Sequence, residues 1–208
     1  MKHTKSLTLL VPVMFTFFTM GFVDLVGIAT NYVKEDFTLS DTMANLLPSM
    51  VFLWFLVCSV PTGMLMNKIG RRKTVIISVL VTFLSLLVPL IEYSYSMMLI
   101  SFALLGIGNA MMQVSLNPLL SNVVSGHLLA SSLTLGQFFK AIASFLAPII
   151  TAWAVVEFGN WRMLYPIFAS ISLIAAFWLL FTSVEEQKTE GKTSTFSQCF
   201  SLLGNQSI

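Results

Sequence analysis

Asp24 lies in the middle of a long apolar run, where a carboxylate has no water to solvate it. A charged side chain at the centre of a bilayer costs about 2.5–3.5 kcal/mol on insertion scales, and intramembrane ionisable residues are functional by default. Gly21, Gly27 and Asn31 fall on the same helical face at spacings of three or four. Asp24 is therefore expected to look into a helix bundle from a polar stripe, where it can bind a polar solute or a proton. The alternative is a structural carboxylate, protonated or hydrogen-bonded inside the bundle. Further on, Gly106, Asn109, Gln113 and Asn117 recur at steps of three and four and run into Pro118, which should kink the helix. Such a stripe suits a hydroxyl-rich ligand, because each amide both donates and accepts. It equally suits interhelical contacts of about 0.6–2 kcal/mol each. Thr134, Gln137, Lys140, Ser144 and Pro148 repeat the pattern. Lys140 is the only cation away from a helix end, and its alternative is to snorkel to the headgroups along its flexible stem. At 1.5 Å per residue, Asp24 and Lys140 are expected roughly 10 Å apart in height, so tilt, water or a solute would have to link them.

The elements that must carry these residues are membrane helices. The chain has 208 residues, of which 56% are hydrophobic and only 10% charged. With a mean hydropathy of +0.87 it has too few charges to cover a soluble surface. Apolar segments at roughly 8–33, 43–66, 74–91, 97–123, 131–156 and 162–182 meet the ~20 residues a helical span requires. The first run far exceeds the ~7–15 residues of a signal-peptide core and has no cleavage pattern. The first and fourth segments carry polar residues in mid-membrane, the second and fifth carry internal prolines, and the third and sixth are plain. That pattern predicts a three-plus-three repeat, inverted because three is odd, with the solute site near its midplane.

Lys2, Lys5, Lys68, Arg71, Arg72, Lys73, Lys188 and Lys192 fall on one side, with only Lys34 and Arg162 on the other. Both termini are thus expected to be cytoplasmic. The cationic segment 63–73, GMLMNKIGRRK, reads as a short hinge with Gly63 and Gly70 allowing a tight reversal. Cys58 and Cys199 make no disulfide framework, and no ligand spacing links His3 and His127. No metal or cofactor is therefore expected. Neither Gly-x-Ser-x-Gly, His-Glu-x-x-His nor a carboxylate pair appears within the spans, so an intramembrane enzyme is disfavoured. Nothing in the modest net charge of +2 suggests nucleic acid.

The segment 63–73 resembles the signature loop of the major facilitator superfamily, Gly-x-Leu-x-Asp-Arg/Lys-x-Gly-Arg-Arg/Lys, with Asn67 in place of the usual Asp. The resemblance implies a gating role for Gly63, Asn67, Gly70, Arg71 and Arg72. The turn Gly159-Asn160-Trp161-Arg162 is similar to one common in the same superfamily. The stretch from Gly21 to Tyr32, the run from Gly108 to Pro118, and Gln137 resemble the amino-terminal half of the fucose:proton symporter family. This implies that Asp24 matches an aspartate tied to sugar recognition and proton coupling, and Gln137 a sugar-contacting glutamine. Gln113 stands where that family has a glutamate, and Lys140 is a cation the fucose permeases lack.

The expectation is an all-helical membrane protein, six spans within 1–182 forming one half of a facilitator fold, followed by a cytoplasmic loop over 183–208. It would carry a sugar-like solute, with or without protons, in a bacterial plasma membrane, its cavity lined by Asp24, Asn31, Asn109, Gln113, Asn117, Gln137 and Lys140. The polar faces then need a second six-helix half, or self-association, to cover them. A helical scaffold or sensor without transport is the alternative.

Overall fold

The computed structural model describes residues 2–126, 128–182 and 184, with side chains from Leu9 onward. The rest of the expected loop over 183–208, and His127, lie outside the described residues. All regular structure among the described residues is helical: α1 (Lys2–Met20), a 3-10 turn (Gly21–Asp24), α2 (Leu25–Asp36), α3 (Asp41–Ile69), α4 (Arg71–Ile91), α5 (Tyr95–Val123), α6 (Leu128–Phe158), a second 3-10 turn (Trp161–Met163) and α7 (Leu164–Phe181). Six helical stretches are long and apolar enough to cross a membrane, with α1, the first turn and α2 forming one of them. Their ends lie within about three residues of the apolar segments. Local chemistry sets several of these ends. The hydroxyls of Ser40 and Ser94 accept from the amides of Met43 and Met97, capping α3 and α5.

The reversal between α3 and α4 is tighter than the sequence suggests. Gly63 and Asn67 belong to the last turns of α3, and the turn is the single residue Gly70, at φ 96° and ψ 159°. Only glycine adopts that backbone without strain. Gly63 plays no part in the reversal, since it is helical and open space surrounds it. Arg71 donates to the carbonyl of Pro118 at 3.0 Å and to Oδ1 of Asn122 at 2.7 Å. Arg72 donates to the carbonyls of Leu179 at 3.1 Å and Leu180 at 2.6 Å. The two guanidiniums thus bind carbonyls near the carboxy-terminal ends of α5 and α7, where the helix dipole favours a cation. α5 continues as helix through Pro118.

In lipid the helices gain little by burying apolar surface, so close packing holds them together. α5 packs chiefly on α4 and α3, α4 on α7, and α1 on α6. Gly106 of α5 lies against the backbone of Val51 in α3, where a Cβ would collide with the Val51 carbonyl. At the end of the bundle holding the turns after α2, α4 and α6, Asp36 accepts from the Tyr93 hydroxyl and from Nε1 of Trp161. Tyr32 stacks on Trp161 with ring centroids 5.1 Å apart, and the Arg162 guanidinium sits 4.5 Å over the Tyr93 ring.

Coverage is uneven. Only 17% of the apolar core of α3 and 22% of that of α6 is buried, against 44–61% in the other spans. Phe52, Leu56 and Val60 of α3 and Phe138, Phe145 and Trp153 of α6 are exposed.

Candidate functional site

The 3-10 turn interrupts the first span at mid-height and ends on Asp24. Gly21 seats this turn on α6, where a Cβ would collide with the Lys140 carbonyl oxygen and the Ala143 methyl. Gly21 is therefore buried under the polar stripe, while Asp24, Gly27 and Asn31 stay exposed along its open face. Ser144, one turn beyond Lys140 on α6, donates its hydroxyl to Oδ2 of Asp24.

Asp24 and Gly27 line a cavity of about 380 Å³ together with Pro48, Phe52 and Phe55 of α3, Asn109 of α5 and Lys140 of α6. That volume is within the range of small-molecule sites, as is the mixture of apolar wall and a few polar groups. Lys140 is thus one of the residues that line this cavity. It forms no ion pair with Asp24; the ion pair among the described residues is Lys34 with Asp41, at the ends of α2 and α3. Oδ1 of Asn109 is buried and has no hydrogen-bond partner. The cavity thus presents a carboxylate with lone pairs to spare and an ammonium, beside the side chain of Asn109. A hydroxyl-bearing solute, which both donates and accepts, complements the two charged groups.

The other expected residues are placed differently. Asn31 lines a second cavity of about 390 Å³ with Tyr32, Glu35 and Thr151. Gln113 and Asn117 are half-buried and Gln137 is exposed, and none of the three lines either cavity. Two contributions were not anticipated: the α3 wall, signalled in the sequence only by Pro48, and the Ser144 contact with Asp24.

A bundle of six membrane-capable helices, two of them little covered, with a largely apolar mid-height cavity that carries a few polar groups, has the form of half a membrane transporter. Residues 12–206 match the family model of the Major Facilitator Superfamily, and the chain belongs to that superfamily. It is 28% identical over 156 residues to a glucose/galactose transporter of Brucella abortus biovar 1 (strain 9-941), a match covering 73% of this chain and 36% of the relative. The counterpart in strain 2308 matches to the same extent. The chain thus spans well under half the length of these relatives. Among solved structures it resembles the E. coli fucose:proton symporter FucP, with a TM-score of 0.72 at 14% identity, covering 94% of this chain and 55% of that one. The proton:xylose symporter XylE, solved with 6-bromo-6-deoxy-D-glucose, gives a TM-score of 0.71 at 15% identity, covering 86% of this chain and 45% of the other. The fold is that of one six-helix half of a facilitator.

Proposed function

We propose that this chain acts as the amino-terminal half of a secondary transporter that moves a sugar by alternating access, rocking against a second six-helix unit. The observation that carries this reading is the convergence of Asp24, Asn109 and Lys140 on one cavity beside the uncovered faces of α3 and α6. A second unit laid on those faces would close the cavity and remove its polar groups from lipid, where each uncovered group is costly. The names of the relatives, carriers of glucose and galactose, fucose and xylose, favour a monosaccharide. In this reading Asp24, Asn109 and Lys140 contact the solute, and Asp24 is the group available for proton coupling. Asn31 stands toward the outer mouth, while Gln113, Asn117 and Gln137 join the path only as the halves rock. Both termini and the segment 183–208 lie on the cytoplasmic side of a bacterial inner membrane.

Uptake of labelled monosaccharides by the assembled transporter tests this, comparing wild type with Asp24→Asn. Asn keeps the size of the side chain and is cheaper to bury than a charge, so the variant should insert normally yet lose or uncouple uptake. Unchanged proton-driven uptake would make Asp24 a structural carboxylate.

A further inference from the structure

We propose that Ser144 is a positioning residue, whose hydroxyl holds the Asp24 carboxylate away from the Lys140 ammonium and so keeps the space between the two charges open for solute. The inference rests on reading this cavity as the solute site. Opposite charges lining one cavity attract, and a flexible lysine can be drawn onto a nearby carboxylate. Here Asp24 and Lys140 line the same cavity without pairing. The polar group that engages Asp24 is the Ser144 hydroxyl.

The geometry gives that hydroxyl a choice. It has one proton and two acceptors, Oδ2 of Asp24 and, at 3.0 Å, the Lys140 carbonyl of its own helix. Donation to an ionised carboxylate is the stronger bond. The close seat of Gly21 on the same Lys140 carbonyl keeps the 3-10 turn and α6 at a fixed height, so Asp24 and Ser144 meet without further adjustment. From the other cavity walls, Pro48, Val51, Phe52 and Phe55 of α3 and Asn109 of α5 bring no titratable group to Asp24. Lys140 is the charge that remains to capture the carboxylate once the hydroxyl is gone.

An apolar, membrane-permeant carbodiimide tests this on the 208-residue chain itself. It activates a carboxylate, which an amine in direct contact attacks to form an amide, with release of the urea. The Asp24–Lys140 crosslink is read by mass spectrometry in folded, monodisperse protein. The yield should be low in wild type and in Ser144→Thr, which keeps the hydroxyl. It should rise several-fold in Ser144→Val, the same shape as threonine without the hydroxyl, and in Ser144→Ala, and vanish in Asp24→Asn. In the assembled transporter, Ser144→Val should raise KM about tenfold, as loss of one hydrogen bond to a charged group does, with little change in maximal rate per folded molecule. Ser144→Thr should restore it. Equal crosslinking in wild type, Ser144→Ala and Ser144→Val would overturn the proposal, as would a KM unchanged by Ser144→Val. If the crosslink follows the hydroxyl but no form carries solute, the positioning role stands and the transport reading falls.

Discussion

The Asp36 carboxylate at the end of α2 accepts from Nε1 of Trp161, 125 residues later, at 2.9 Å, and also from the Tyr93 hydroxyl. One side chain thus joins the ends of the first span and the last to the turn between α4 and α5. Asp36→Ala leaves both donors unpaired and should cost about 1–3 kcal/mol, more than Asp36→Asn, which keeps one acceptor. Burial first, and then the Asp36 carboxylate beside it, push the Tyr93 hydroxyl well above the usual tyrosine value. The folded state therefore keeps a proton that the unfolded chain loses above about pH 10. This contribution to stability is complete below that pH and falls away as pH rises further. Tyr93→Phe should flatten the alkaline fall, as measured by thermal unfolding in detergent between pH 8 and 11. An identical alkaline limb in both proteins would exclude this assignment.

Gly106 and Gly27 should respond to alanine in opposite ways. A Cβ at Gly106 runs into the Val51 backbone, whereas one at Gly27 meets nothing. Gly106→Ala should cost about 1–3 kcal/mol through forced separation of α3 and α5. Gly27→Ala should be neutral or slightly stabilising, since alanine favours helix. The midpoints of unfolding in denaturing detergent rank them.

The six spans were legible because lipid demands long apolar runs, and each run here is long enough to be read directly. The reversal at Gly70 was less so. Segment 63–73 holds charge and two glycines, but Met64, Leu65 and Met66 are strong helix formers and carry α3 on to Ile69. Asp24 announced itself by its depth, and Lys140 by its charge. Their convergence on one cavity with Asn109 depends on how α2, α5 and α6 pack. The amide stripe illustrates the limit: eight residues separate Asn109 from Asn117, about 12 Å of helix, so one face leads out of the cavity. The Ser144 contact with Asp24 spans 120 residues of sequence and requires the seat at Gly21, which no local pattern discloses.

The cation count predicts cytoplasmic termini, an orientation to be tested with single cysteines after replacing Cys58 and Cys199 by alanine. Thr38→Cys, in the turn after α2, should react with an impermeant thiol reagent from outside the cell. Lys73→Cys, in the first turn of α4, should react only in inverted vesicles. Labelling of both from one side would refute the arrangement.

Saturable uptake of labelled glucose, galactose and fucose into vesicles tests the central claim most directly, with this chain present alone or together with a carboxy-terminal six-helix half. Alternating access needs two rigid bodies around one midplane site. The 208-residue chain alone should insert, self-associate through α3 and α6, and show no saturable uptake; the pair should transport, and Asp24→Asn should abolish or uncouple that transport. Saturable uptake by the chain alone, as a monomer, would contradict the account.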